Sequence, residues 1–196
     1  MAWSVVQTVP PASEPVTVAE VKAQARIDIS DDDTLLASYI KGARQQVETE
    51  TGRQLLTATW VYRADAFPRC GYIALPKPPL LTVTALAYVD SAGVTQTWGS
   101  SNYRVDLYDD PGTVRLAYGV SWPSTRSQFD AVQLTYTAGY GATAASVPEP
   151  LRLAILLWVA HLYEHREAVS ERELYAMPLG VERLVWPYRV ASVLVG

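Results

Sequence analysis

The chain has 196 residues, 49% hydrophobic and 18% charged, with a net charge of −4 and a pI of about 5.2. That acidity excludes a general basic footprint for gripping nucleic acid, although a local basic patch stays open. A single cysteine, Cys70, excludes an internal disulfide and fits a reducing compartment. The length suits one domain with a sizeable insertion. Six Trp and twelve Tyr in so charge-poor a chain leave two readings open: a large aromatic core, or aromatic surface that partners bury.

Residues 1–16 carry prolines and no periodicity and read as an extended arm. They have neither a basic start nor a long apolar core, so no secretory signal is expected, and the protein reads as made in the cytosol or built into something assembled there. Thr17 and Glu20 form a T-x-x-E capping box, in which each side chain satisfies an otherwise unpaired amide. A short helix follows with Val18, Val21 and Ala25 on one face.

A second helix begins after Ser30, with Asp31, Asp32 and Asp33 complementing the positive end of its dipole. Leu36, Ile40, Ala43 and Val47 recur at helical spacing and predict a buried stripe, opposite Lys41, Arg44, Gln45 and Glu48. Gly52 stands where a left-handed terminating residue is needed.

From Leu55 the period becomes two. Leu56, Ala58, Trp60 and Tyr62 alternate with Thr57, Thr59, Val61 and Arg63, which predicts a strand. Pro76-Lys77-Pro78-Pro79 breaks the chain before LTVTALAYVD. The turn Asp90-Ser91-Ala92-Gly93 then leads to VTQTW, and Asp109-Asp110-Pro111-Gly112 separates YRVDLY from TVRLAYG. With AVQLTYTAGYG as a last strand, residues 55–141 read as one antiparallel sheet inserted between helices.

Val147 to Ser170 reads as the central helix. It opens on Pro148 and Pro150, which suit a first turn, and runs unbroken apolar from Leu153 to Ala160. A helix apolar all round its middle is buried on several sides. Arg152 and His161 interrupt it well short of the roughly 20 apolar residues of a membrane span, so no membrane partner is implied. Beyond it, Arg172 to Tyr175 extend the helix or form a loop. Pro178-Leu179-Gly180 breaks the chain, Val181 to Trp186 form a further helical turn, and the tail that follows is apolar. The fold class is therefore α+β: a small helical bundle of three main helices plus a C-terminal segment, with an inserted antiparallel sheet. The chain divides into 1–54 (arm and two helices), 55–141 (β region), 142–170 (central helix) and 171–196 (docking segment).

Candidate chemistry is sparse. His161-Leu162-Tyr163-Glu164-His165 matches the H-x-x-E-H pattern of inverted zinc peptidases, in which two histidines a turn apart bind zinc and the glutamate acts as base. A third ligand would have to be Glu167, Glu171, Glu173 or Glu182, and the competing reading is a helix end whose cations complement the dipole. Asp28 to Asp33 resembles a calcium loop, but the sixth position is not glycine and the twelfth is Tyr39, so capping explains it better. Gly139-Tyr140-Gly141 lacks the lysine of a phosphate cradle. Cys70 has no histidine near it to act as base, and no serine sits in G-x-S-x-G. Lys41, Arg44 and Arg53 form a basic ridge, either a solvated face or a contact for DNA phosphates. No cofactor and no metal is assigned.

Four stretches in succession resemble the head–tail connector (adaptor, or head-completion) proteins of long-tailed bacteriophages and phage-like particles. They are PVTVAEVKAQARIDISDDDTLLASYIKGARQQVETETGR, the LPKPPL break with its sheet, TAGYG…VPEPLRLAILLWVAHLYEHREAV, and MPLGVERLVWPYRV. The resemblance implies a non-enzymatic virion protein: a homo-oligomeric ring, dodecameric like the portal, that extends the DNA channel and offers the tail a docking surface. It implies as partners further copies, the portal protein, a tail-side neck or stopper protein and, non-specifically, packaged double-stranded DNA. By the same resemblance Leu179, Val181, Leu184, Trp186, Pro187, Tyr188 and Arg189 would bind the portal or a neighbouring subunit, and Lys41 and Arg44 would line the channel. Two other classes stay open: a zinc hydrolase using His161, Glu164 and His165, and a module whose Tyr- and Trp-rich sheet binds carbohydrate or another virion protein.

Overall fold

A computed structural model describes residues 3–165 and 178–190. The chain folds as two compact units: a sheet unit, residues 1–11 and 57–139, and a helical unit, residues 12–56 and 140–196.

Among the described residues the sheet unit holds eight strands: β1 (Trp3–Val9), β2 (Ala58–Ala64), β3 (Tyr72–Ala74), β4 (Leu80–Val89), β5 (Thr95–Thr97), β6 (Tyr103–Asp106), β7 (Thr113–Leu116) and β8 (Val132–Ala138). They form two sheets where the sequence suggested one: five strands in the order β1-β2-β8-β4-β5 and three in the order β3-β7-β6, with every pairing antiparallel. The expected arm is corrected too. Trp3 to Val9 pair with β2 from Trp3↔Ala64 to Val9↔Thr59, since an uncharged run with three valines suits a pleated edge.

Alternation decides which faces close the core. Val132, Leu134, Tyr136 and Ala138 of β8 point inward, and Ala58, Tyr62 and Ala64 of β2 are buried in step with them. Within this core Phe67 stacks on Trp122 at 4.7 Å, and Trp98 lies 5.0 Å from Trp122. The Trp122 indole donates to the Cys70 carbonyl at 3.0 Å, and buried Tyr136 donates its hydroxyl to the Pro76 carbonyl at 2.8 Å. Burial pushes the pKa of that tyrosine well above its usual value.

The helical unit holds α1 (Val18–Ala25), α2 (Asp33–Thr51), α3 (Glu149–Glu164) and α4 (Leu179–Val185). Thr17 and Glu20 make the expected capping box at the start of α1. The predicted α2 stripe is buried: Leu36, Ala43 and Val47 are 0% exposed and Ile40 is 2%. Gly52 ends the helix at φ 71°, a left-handed conformation that costs glycine little. Helix α3 contributes Leu151, Ala154, Ile155, Trp158 and Val159 to the same core, while Leu153 stays 39% exposed, so its apolar run is buried on most sides but not all. The proposed extension of this helix past His165, and the apolar tail after Val190, lie outside the described residues.

Candidate assembly surface

Helix α4 and the 3-10 turn after it, Trp186–Tyr188, show two faces. Val181 and Val185, four residues apart, are each 1% exposed in the helical core, and Leu184 and Tyr188 pack against it. Backbone bonds anchor the end of the segment: the Arg53 Nε donates to the Tyr188 carbonyl at 2.6 Å, and the Val190 amide donates to the Thr51 carbonyl at 2.8 Å. Arg189 reaches Glu50 at 2.7 Å and lies 4.8 Å from the Trp186 ring. The outward face keeps Leu179, 75% exposed, Trp186, 62% exposed, and Pro187. Seven candidate interface residues thus divide in two. Helical spacing turns Val181 into the core of its own unit, where Leu184 and Tyr188 pack against it partly buried, while Leu179, Trp186 and Pro187 face outward and Arg189 lies at the boundary, held by Glu50.

The basic ridge also divides. Lys41 is exposed. Arg44 is 4% exposed, its Nε bonded to Glu14 and its Nη1 to Glu48, both at 2.7 Å. Glu48 accepts in addition from the Gln54 amide at 2.7 Å and the Leu55 backbone at 3.1 Å. Burial lowers the Arg44 pKa, but the hydrogen bond to Glu14 and the two carboxylate charges outweigh it, and the net shift is upward. This guanidinium is spent on internal carboxylates, so Arg44 is corrected as a channel-wall residue. The i,i+4 spacing of Arg44 and Glu48 was a visible signal for half of this network. Glu14, thirty residues upstream, gave none.

A second polar node has no counterpart among the sequence motifs. Arg152 of α3 donates to the Pro15 carbonyl at 3.0 Å and to Glu149 at 2.7 Å, and also engages Glu20. Hydrogen bonds from the Thr17 amide and hydroxyl, with the Arg152 charge, hold Glu20 below the ordinary glutamate value of 4.5.

The histidine motif sits at the end of α3. The His161 and His165 rings lie 4.5 Å apart, and His165 Nδ1 is 3.0 Å from the His161 carbonyl. His165 has left helical geometry at φ −115°, ψ 64°, so the two rings do not project in parallel from successive turns. Of the proposed third ligands, Glu167, Glu171 and Glu173 lie outside the described residues. Among those described, no three of His, Cys, Asp or Glu are grouped to hold a metal ion. In the sheet unit Phe67, Trp98 and Tyr103 face the core, which takes them out of any carbohydrate platform. Among the described residues, no helix is long and apolar enough to cross a membrane.

Residues 15–87 match the family model of phage gp6-like head-tail connector proteins. Over 100% of its length the chain is similar to a chain in the neck of an empty gene transfer agent (GTA) particle computed with C6 symmetry, at 29% identity and a TM-score of 0.80, covering 99% of that chain. It is similar to a chain in the virion of the native GTA particle at 31% identity and a TM-score of 0.78, covering 100% of this chain and 99% of that one. It is also similar to a chain in the native GTA neck computed with C12 symmetry, at 29% identity and a TM-score of 0.75, again covering 100% and 99%. Among curated proteins, none matches.

Proposed function

The chain belongs to the head–tail connector family, and from that membership we infer that it is an adaptor subunit seated in the neck of a phage-like particle. Its role is structural: it joins the DNA-filled head to the tail as one copy in a ring. The observation that carries this reading is similarity along the whole chain, in both units, to chains of symmetric particle necks.

Finer assignments rest on physical argument. The outward face of Leu179, Trp186 and Pro187 is read as the portal-binding surface. It is apolar and solvent-facing, yet its backbone is already held by Arg53 and Thr51, so docking costs little ordering entropy. The Arg189 guanidinium beside Trp186 adds the aromatic–arginine pairing in which binding energy concentrates. The ring is read as twelve-fold to match the portal, with a tail-side stopper protein on its far rim. Exposed Lys41 remains the candidate for passing, non-specific contact with packaged DNA. An acidic subunit suits a conduit through which DNA slides without sticking. We assign it no reaction.

The double variant Leu179→Ser, Trp186→Ala tests the portal assignment. It removes two outward side chains and the Trp186–Arg189 contact, so the fold is kept at a cost of about 1 kcal/mol. Particles from cells expressing it should lack the subunit and carry no tails. Normal incorporation of this folded variant would overturn the assignment.

A further inference from the structure

The five-stranded sheet is almost free of charge: among all the residues of β1, β2, β8, β4 and β5, Arg63 alone is charged. Copies of a chain with net charge −4 repel one another, and a nearly uncharged sheet lets them approach at little electrostatic cost.

That sheet ends in β1 on one side and β5 on the other, and among the described residues no further strand pairs with either. The register of β1 with β2 is unbroken from Trp3 to Gln7 and shifts only between Gln7 and Val9. Its five-residue run carries no charge, proline or bulge, the devices that keep an exposed edge from pairing. At the opposite edge, the Asp90 amide bonds to the Val94 carbonyl at 2.9 Å and the Trp98 amide to the Leu86 carbonyl at 2.7 Å. The ladder on that side therefore runs from Val94 to Trp98, a second uncharged run of the same length, exposed as far as Thr97. The three-stranded sheet differs, because its edge strand β6 is blunted by Asp106 and by Arg104, which stands opposite Arg115.

Direction decides which edges can meet. Every pairing in the five-stranded sheet is antiparallel and three strands separate β1 from β5, so these two run the same way. A twelve-fold ring turns each copy by about 30° relative to the next. So small a rotation neither reverses a strand nor brings two β1 edges face to face. It sets one edge of a sheet beside the opposite edge of its neighbour's.

We propose that β1 of each copy pairs in parallel with β5 of the next, joining the five-stranded sheets edge to edge around the ring. The inference rests on the ring reading above and adds to it the contact between neighbours. Strand addition satisfies main-chain groups on both edges, and a contact between unlike edges propagates around a ring where a like-edge contact stops at a pair.

Ser4, Arg63, Gln133, Ala87 and Thr97 form one row across the sheet, so Val6 and Thr95 share its face. Particles carrying Cys70→Ser with Val6→Cys and Thr95→Cys in one chain are treated with a short bifunctional maleimide. Within one copy the two edges lie about four strand spacings, roughly 19 Å, apart, and a linker shorter than that joins copies only. The expected result is a ladder of linked multimers, absent when either cysteine stands alone. A subunit present at the parental level but still monomeric after treatment would overturn the proposal. So would dimers from Val6→Cys alone, or links from Val6→Cys to a different neck protein. In parallel, Val6 is 48% exposed, so Val6→Lys should leave thermal unfolding unchanged yet reduce incorporation at least tenfold, while uncharged Val6→Thr incorporates normally. Incorporation of Val6→Lys at the parental level overturns the contact. A parental subunit missing from particles would instead refute the ring reading itself, leaving the two failures distinguishable.

Discussion

Arg44 and Lys41 lie three residues apart on α2 and show how far burial separates two cations of one sequence type. Arg44 is buried between two carboxylates, and removing it leaves Glu14 and Glu48 facing each other in a poorly solvated site. Arg44→Ala should cost about 3–5 kcal/mol in urea unfolding, the usual penalty for stripping one partner from a buried ion pair, whereas Lys41→Ala should change stability by less than about 0.5 kcal/mol. Glu20 supports a prediction with a pH sign. Its folded pKa is depressed chiefly by the Thr17 hydrogen bonds, so its contribution is full at neutral pH, above its unfolded pKa, and is lost as pH falls through the lowered folded value. The stability gap between the parent and Glu20→Gln should therefore be open at pH 7 and close on acidification below the ordinary carboxylate range. Thr17→Ala, which removes the cap acceptor itself, should cost about 1 kcal/mol at neutral pH.

At the scale of elements, α4 is two things at once. Its Val181 and Val185 belong to the core while Leu179 and Trp186 face outward, so the proposed docking face is carried by a helix that also closes its own core. Deleting residues 179–196 would then uncover apolar surface on α2 and α3. The truncated chain should lose at least about 3 kcal/mol of stability, as burial of two valines and partial burial of Leu184 and Tyr188 is forfeited, and should bind a hydrophobic dye. A truncated chain that unfolds at the parental temperature would return the segment to a pure docking role. Strand β1 makes a related point for the sheet. Its residues are almost all exposed, and its order comes from the ladder with β2 rather than from a buried face, which is why hydrophobic periodicity does not mark it.

For the whole molecule, the succession of segments carried more than any motif. The α2 stripe, the Gly52 stop, the Thr17–Glu20 box, the β2 alternation and the two Asp- and Gly-marked turns were legible because each signal is local: it depends on residues within a helical turn or a hairpin. The division into two sheets was not, because nothing within YRVDLY or TVRLAYG states which strand lies beside it. The candidate surface was half legible for the same reason. The family resemblance pointed to the segment around Trp186 and Arg189 as a docking candidate, but its sequence is silent on which side of α4 meets its own core. By itself the sequence determined the helices, their stops, the turns and the family to which their order belongs. Only the tertiary structure decided that Arg44 is spent on Glu14 and Glu48, that Trp186 faces out while Val181 faces in, and that Arg104 stands beside Arg115 with no partner among the described residues. Apart from the i,i+4 pair of Arg44 and Glu48, those outcomes depend on groups distant in the chain, such as Glu14 and Arg44, or on separate strands, and burial and charge pairing are properties of that arrangement, not of the local chain.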